Sequence, residues 1–141
     1  TSSWAINGLL TYGRGGEWSV HPMEHELSAF YDITHGVGLA ILTPHWMEYV
    51  INDKTLDKFV DYGVNVWGIN SSLDKNDIAH MAIEKTRDFF NELGIPSSLS
   101  ELGIGEEKLE IMAKQAVRFN LDKGFMPLDW EDVYYIYKRA L

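Results

Sequence analysis

Cysteine is absent from the 141 residues of this chain. Its absence excludes disulfide bonds, thiolate zinc sites and cysteine nucleophiles. If the chain holds a metal ion, the ligands must therefore be histidine, aspartate or glutamate side chains.

Positive charge is also scarce, because 12 Lys and Arg stand against 21 Asp and Glu for a net charge of −9. Such a chain repels phosphate backbones and anionic membrane surfaces. No apolar run approaches the ~20 residues that span a bilayer, and the first residues lack the basic and apolar regions of a secretory signal. We therefore expect no nucleic-acid partner, no membrane association and a cytoplasmic location.

The chain has no complete dinucleotide-binding fingerprint. Gly13-Arg14-Gly15 is followed by Trp18 where the third glycine should stand, and His35-Gly36-Val37-Gly38 is followed by Ile41. The fingerprint also requires a strand before the glycines and a helix after them, and no segment has that order. We expect no self-contained nicotinamide-binding domain here.

Apolar residues recur at helical spacing nearly throughout, in a chain that is 45% hydrophobic. This pattern predicts one all-α domain over residues 1–141. Gly94-Ile95-Pro96 is typical of a helix end, and Asp129 with Asp132 is typical of a helix start. We predict seven helices, at residues 2–12, 19–32, 36–51, 54–67, 75–93, 106–119 and 129–140.

Three of the five histidines, His21, His25 and His35, lie in one short segment. On a helix His21 and His25 share a face, about one turn apart. His35 follows His21 by 14 positions, and an unbroken helix would separate them by ~21 Å. A shared metal ion therefore requires the chain to reverse between them, and the candidate break is Asp32-Ile33-Thr34.

Two other interpretations of this segment remain open. His21, Glu24 and His25 match H-x-x-E-H, the inverted zincin pattern of two ligands and a glutamate that activates water. That site needs a third ligand, which no feature of the sequence selects. A helical module that binds a metal or a partner without catalysis is also possible, since two histidines can anchor an ion weakly.

The histidine segment strongly resembles the second signature of the iron-containing alcohol dehydrogenase family. The matching run is His35-Gly36-Val37-Gly38-Leu39-Ala40-Ile41, followed by Thr43-Pro44-His45-Trp46-Met47. The flanking runs W-A-I-N-G-L-L, H-P-M-E-H-E-L-S-A and F-V-D-Y-G-V-N-V-W-G-I are most similar to the butanol dehydrogenase branch. The resemblance covers nearly the whole chain.

This resemblance implies the all-α C-terminal domain of the dehydroquinate synthase-like and iron-containing alcohol dehydrogenase fold. In the family an Asp and a His from an earlier helix and two His separated by 14 residues hold the metal. His21 and His35 match the latter pair, whereas His25 matches a histidine close to the nicotinamide and the substrate. No Asp or His precedes His21, so we expect a larger dehydrogenase whose N-terminal nucleotide-binding domain lies outside this chain.

The implied activity is interconversion of primary alcohols and aldehydes by hydride transfer with NAD or NADP. The metal, Fe²⁺ or Zn²⁺, would act as a Lewis acid, and the resemblance alone favours iron. His25 is the candidate for passing a proton or orienting the substrate. We expect this chain to be inactive by itself and to belong to a homo-oligomer, a dimer.

For the remaining polar and aromatic residues we predict mainly structural roles. Glu24 and Glu26 are predicted to face away from the metal in a solvated or helix-pairing role, and Asp32 is predicted to be a helix-end partner for backbone N–H groups. The histidines His45 and His80 are predicted to be structural or exposed. Tyr12 and Trp18 are the aromatic candidates for a pocket wall, whereas core spacing is assigned to Phe59, Tyr62, Val66, Phe89 and Phe90.

Overall fold

The computed structural model describes residue 9, residue 12 and residues 18–141. In this part of the chain every regular element is a helix, which confirms the all-α prediction. The α-helices are α1 (Val20–Tyr31), α2 (His35–Val50), α3 (Leu56–Trp67), α4 (Lys75–Glu92), α5 (Leu109–Ala116) and α6 (Trp130–Arg139). Single 3₁₀ turns lie at Ser100–Leu102, Glu106–Lys108, Val117–Phe119 and Leu121–Lys123. None of the described helices combines the length and the apolar character needed to cross a bilayer.

Most predicted helix positions are confirmed. The predicted helix at 2–12 falls outside the described residues, and five others begin and end within one or two residues of their predicted positions. The single helix predicted at 106–119 is wrong. That region is a 3₁₀ turn, then α5, then a second 3₁₀ turn, because Lys108 has φ −114° and ψ −1°, away from α-helical values.

Local capping explains where several helices begin and end. At the start of α6, Asp129 accepts a hydrogen bond from the Asp132 backbone N–H at 3.0 Å, and Asp132 accepts one from the Asp129 backbone N–H at 2.8 Å. This capping box confirms the predicted helix start. After α4, Gly94 has φ 78°, the left-handed conformation that glycine adopts without steric cost, as predicted for this helix end.

The main core lies where α1 and α2 pack against α5 and α6. Met23 and Leu27 of α1 are fully buried there, as are Leu42 of α2 and Met112 of α5. The Tyr137 hydroxyl of α6 donates a 2.6 Å hydrogen bond to the Met23 carbonyl. Because one face of α1 is fixed in this core, the histidines on its other side are held in a defined place.

Helices α3 and α4 form a second layer with a smaller core of their own. Gly63 permits their close approach, since a Cβ there would lie 2.8 Å from the Ile78 side chain. Burial is confirmed for Phe59, which is 5% exposed, but it is wrong for Val66 at 62% and Phe89 at 46%. The outer faces of this helix pair have no neighbour among the described residues to cover them.

Candidate metal centre

Helices α1 and α2 bring the three predicted histidines together. The ring centroids of His21 and His35 are 5.5 Å apart, those of His25 and His35 are 5.4 Å apart, and those of His21 and His25 are 6.2 Å apart. The chain reverses between His21 and His35 as their pairing requires, because α1 ends at Tyr31 and α2 begins at His35.

The link between the two helices is held by backbone and side-chain hydrogen bonds. Asp32 adopts the left-handed conformation with φ 52° and ψ 37°, and its N–H donates to the Ser28 carbonyl at 2.9 Å. The Ser28 hydroxyl lies 3.1 Å from the Ile33 carbonyl. The link therefore returns along the last turns of α1, and His35 opens α2 beside the second turn of α1. Asp32 lies at a helix end as predicted, but its contribution there is its backbone conformation, which turns the chain, and its own N–H donates to Ser28.

The prediction that Glu24 faces away from the metal cluster is wrong. Its side chain is 0% exposed, and its Oε2 is in hydrogen-bond contact with His35 Nδ1. Its Oε1 accepts a 2.5 Å hydrogen bond from the Ser28 hydroxyl. The signal was present in the spacing, because Glu24 follows His21 by three positions and so lies on the same helix face. Glu26 is also buried, at 7% exposure, so the prediction of a solvated side chain is wrong for it.

Electrostatics at the cluster favour neutral imidazole at His21. Burial lowers its pKa from the ordinary value of 6.5, and the nearby His35 and His25 lower it further. The charge of Glu24 opposes this shift without cancelling it. A neutral imidazole offers the lone pair that a metal ion binds, so this environment is compatible with the predicted ligand role of His21.

The donor set fits a divalent ion that takes nitrogen ligands. Imidazole nitrogens lie ~2.0 to 2.1 Å from zinc, so two imidazoles on one tetrahedral ion have ring centroids about 5 Å apart. The pairs that include His35 have this spacing. Donor atoms of Glu24, His25 and His35 also lie within 4.8 Å of one another. Assignment of His21 and His35 as the metal ligands stays a prediction.

The H-x-x-E-H hydrolase interpretation finds no support in this geometry. It requires the glutamate to contact a metal-bound water on the open side of the site. The carboxylate of Glu24 instead contacts Ser28 and His35. Glu24 is also fully buried, beneath the histidines and not at their open side.

Trp18 lies at the edge of the cluster, where it was considered for a pocket wall. Its ring centroid is 4.4 Å from that of His21. A cavity of about 270 Å³ beside it is lined by Trp18, Val20, His21, Leu39, Thr43 and Trp46. A second cavity of about 230 Å³ on its other side is lined by Trp18, Ser19, Pro22, Phe119, Asn120, Leu121, Lys123 and Gly124.

The other two histidines lie outside the cluster. His80 is exposed on α4, as predicted. His45 is partly buried in α2, and burial together with the nearby Arg87 lowers its pKa. Neither side chain approaches the three histidine rings.

Comparison with known proteins places the chain in a family. The Fe-containing alcohol dehydrogenase family, C-terminal, matches residues 5–141. NADH-dependent butanol dehydrogenase A of Clostridium acetobutylicum is 62% identical over 141 residues, which cover 99% of this chain and 36% of that protein. NADH-dependent butanol dehydrogenase B of the same organism is 59% identical over 143 residues, which cover 99% of this chain and 37% of that protein.

A comparison with solved structures gives the same family. The crystal structure of NADH-dependent butanol dehydrogenase A from Thermotoga maritima matches 97% of this chain and 36% of its own, with a TM-score of 0.82 and 34% identity. A helical domain that carries this histidine signature defines the class: the chain belongs to the iron-containing alcohol dehydrogenase family and corresponds to its C-terminal domain. Within the family it is related to the butanol dehydrogenases. It spans just over a third of the length of these curated relatives.

Proposed function

We propose that this chain is the metal-binding helical domain of an NAD(P)-dependent alcohol dehydrogenase that interconverts primary alcohols and aldehydes. The observation that carries the proposal is the convergence of His21, His25 and His35 at the junction of α1 and α2. In this proposal an N-terminal nucleotide-binding domain, outside the given sequence, faces the cluster and binds most of the nicotinamide cofactor.

His21 and His35 are the proposed metal ligands, and an Asp and a His from outside this sequence complete the shell. A bound Fe²⁺ or Zn²⁺ would supply Lewis-acid polarisation of the substrate oxygen. The family name supports iron. Of the pair, His35 is the more exposed, with 49% of its side chain accessible, which leaves room for the missing ligands and for the substrate.

His25 is the proposed catalytic histidine. It is exposed, and its ring lies 5.4 Å from that of His35 and 6.2 Å from that of His21. From this position it can hold a proton near the substrate oxygen and pass it to solvent, or orient the substrate toward the nicotinamide. Because His25 is one turn after His21, the helix itself sets the distance between ligand and proton carrier.

The cavity beside His21 is the proposed site for the alkyl chain of the substrate. It adjoins a proposed metal ligand, and much of its lining is apolar, including Val20, Leu39 and Trp46. Apolar surface next to a polar reaction centre suits a short aliphatic alcohol, whose hydroxyl faces the metal while its chain leaves water. The names of the butanol dehydrogenases reported above support this substrate class, with NAD as the cofactor.

The test is aldehyde reduction by the full-length protein, with butyraldehyde and NADH, before and after removal of metal with a chelator. We expect activity that is lost on chelation and restored by Fe²⁺ or Zn²⁺. Replacement of the proposed proton carrier, His25→Gln, should lower kcat by roughly 10²- to 10⁴-fold, the usual contribution of a general acid or base. His80→Gln is the matched control and should keep wild-type rates.

Two results would contradict the proposal. One is a full-length protein whose activity is indifferent to chelation and to His25→Gln. The other is tight metal binding by residues 1–141 alone, without activity in any longer form, which would favour a non-catalytic helical metal-binding module. The dehydrogenase proposal predicts that residues 1–141 alone are inactive.

A further inference from the structure

Glu24 is a fully buried carboxylate beside the histidine cluster, with 0% of its side chain exposed. Among the described residues no lysine or arginine pairs with it, and its carboxylate contacts His35 Nδ1. A buried carboxylate is costly unless it is paired and hydrogen-bonded. Because burying this carboxylate costs free energy and it lies next to a proposed metal ligand, we expect Glu24 to have a function in the site.

Both oxygens of Glu24 are occupied within the protein. Oε2 accepts from His35 Nδ1, and Oε1 accepts from the Ser28 hydroxyl at 2.5 Å. A carboxylate oxygen can accept more than one hydrogen bond, and the donor atoms of Glu24, His25 and His35 lie within 4.8 Å of one another. The contact that Glu24 makes in the structure is with the His35 ring, at Nδ1.

The contact with Glu24 determines which nitrogen of the His35 ring is available to a metal ion. A carboxylate at Nδ1 accepts the proton there, so the lone pair of the neutral ring lies on Nε2. Metal-binding histidines commonly donate their second N–H to a carboxylate, which fixes the ring and makes it a better donor. We propose that Glu24 is a positioning residue that fixes His35 as the Nδ1–H tautomer and presents Nε2 to the metal. This inference rests on the proposed function.

Two further residues keep Glu24 in this position. Ser28 lies one turn later on α1 and holds the oxygen that His35 does not. Gly38 of α2 packs directly against it, because a Cβ there would lie 2.7 Å from Glu24 Cγ and 3.0 Å from Glu24 Oε1. The second glycine of the H-G-V-G run thus leaves the space that the Glu24 side chain fills.

The first arm of the test compares Glu24→Gln with Glu26→Gln in the full-length protein. Both changes remove one buried negative charge from α1, but only Glu24 contacts His35. Zinc affinity is measured by competition with a chromophoric chelator. We expect Glu24→Gln to bind Zn²⁺ about 10- to 100-fold more weakly, the range for loss of a partner of a ligating histidine, and Glu26→Gln to stay within about twofold of wild type.

The second arm needs no variant of Glu24. Long-range ¹H–¹⁵N correlation spectra of histidine-labelled wild-type protein report the tautomer of each ring, and His35→Gln assigns the His35 signals. We expect the Nδ1–H tautomer at His35 with and without Zn²⁺. This arm also decides the matter if Glu24→Gln does not fold.

The outcomes separate the two claims. An Nε2–H tautomer at His35, or Glu24→Gln with wild-type zinc affinity, or an equal loss in Glu26→Gln, overturns the positioning role and leaves the proposed function standing. A wild-type protein that binds neither zinc nor iron contradicts the proposed function instead.

Discussion

Gly38 is restricted in size by two neighbours, because a Cβ there would lie 2.7 Å from Glu24 Cγ and 3.0 Å from Ile33 Cδ1. The next glycine toward the N-terminus, Gly36, lies in the same first turn of α2, yet a Cβ built on it meets nothing within 4 Å. Gly36 and Gly38 are separated by one residue, yet only Gly36 has space for a Cβ atom. Only Gly38 has a contact that requires the absence of a side chain.

We expect Gly38→Ala to destabilise the fold by about 1 to 3 kcal/mol, the usual cost of overpacking a filled site. Gly36→Ala should be neutral or stabilising by up to about 1 kcal/mol, because alanine favours the helix and finds open space. Chemical denaturation of both variants measures the difference. Equal effects of the two substitutions would contradict the packing described for Glu24.

The sequence was sufficient to single out the three histidines but not their buried partner. His21, His25 and His35 stand out because of their residue type and spacing. The sequence placed Glu24 in the H-x-x-E-H pattern and on the helix face of His21, but it did not reveal the contact with His35. Its role depends on α2 folding back over it, a tertiary contact that the local pattern does not encode.

At the scale of elements, the link Asp32-Ile33-Thr34 determines whether His21 and His35 can meet. It works because Asp32 takes the left-handed conformation, φ 52°, which costs most residues about 1 to 2 kcal/mol and suits glycine, asparagine and aspartate best. The sequence predicted the break correctly, since only a reversal there brings the two histidines together.

A β-branched residue at this position should weaken the link. We expect Asp32→Val to lower the free energy of unfolding by about 1 to 2 kcal/mol, whereas Asp32→Gly and Asp32→Asn should stay within about 0.5 kcal/mol of wild type or gain stability. Urea unfolding of the three variants checks this. A tolerated valine would mean that the backbone at residue 32 is not in the left-handed region.

Helices α2, α4 and α6 are joined by ion pairs to one carboxylate. Glu48 of α2 pairs with Arg87 of α4 at 2.8 Å and also with Arg139 of α6. Burial by itself would raise the pKa of Glu48, but the hydrogen bonds and charges of Arg87 and Arg139 outweigh it and hold the pKa below its ordinary value. This ion-pair group joins the α3–α4 layer to the main core.

The lowered pKa of Glu48 makes part of the stability pH-dependent. Because the folded protein holds this carboxylate ionised more strongly than the unfolded chain does, its contribution is full above the ordinary glutamate pKa and is lost as the pH falls through the lowered value. We expect Glu48→Gln to cost about 1 to 3 kcal/mol at pH 7 and progressively less as the pH falls below about 4. Denaturant unfolding as a function of pH measures both.

The matched control is Glu84→Gln. Glu84 also pairs with Arg87, but 59% of its side chain is exposed, so its loss should cost less than about 0.5 kcal/mol at any pH. If the two variants behave alike, Glu48 does not have the central role described here.

At the scale of the whole described chain, a buried helical core carries a histidine cluster in which His25 and His35 are exposed. The family and the all-α class were predictable from the sequence, because the H-G-V-G-L-A-I run and helical periodicity cover most of the chain. The split of 106–119 and the exposure of Val66 and Phe89 were not, since they depend on how whole helices pack. The expected dimer stays a prediction.

Metal binding at the junction of α1 and α2 should stabilise the whole fold. Saturating the full-length protein with Zn²⁺ at about 100 times its Kd should add about 2.7 kcal/mol to the free energy of unfolding, seen as a rise in Tm. His21→Asn and His35→Asn should each abolish most of that rise, whereas His80→Gln should keep it. A rise that survives both ligand variants would locate the ion elsewhere.

The most direct measurement is a crystal structure of the metal-loaded full-length protein with anomalous diffraction recorded at the metal edge. The account predicts one ion bound by the imidazole nitrogens of His21 and His35, with its remaining protein ligands from outside the present sequence and with Glu24 hydrogen-bonded to His35. An ion bound instead by Glu24 and His25, or an anomalous signal remote from all three histidines, would contradict it.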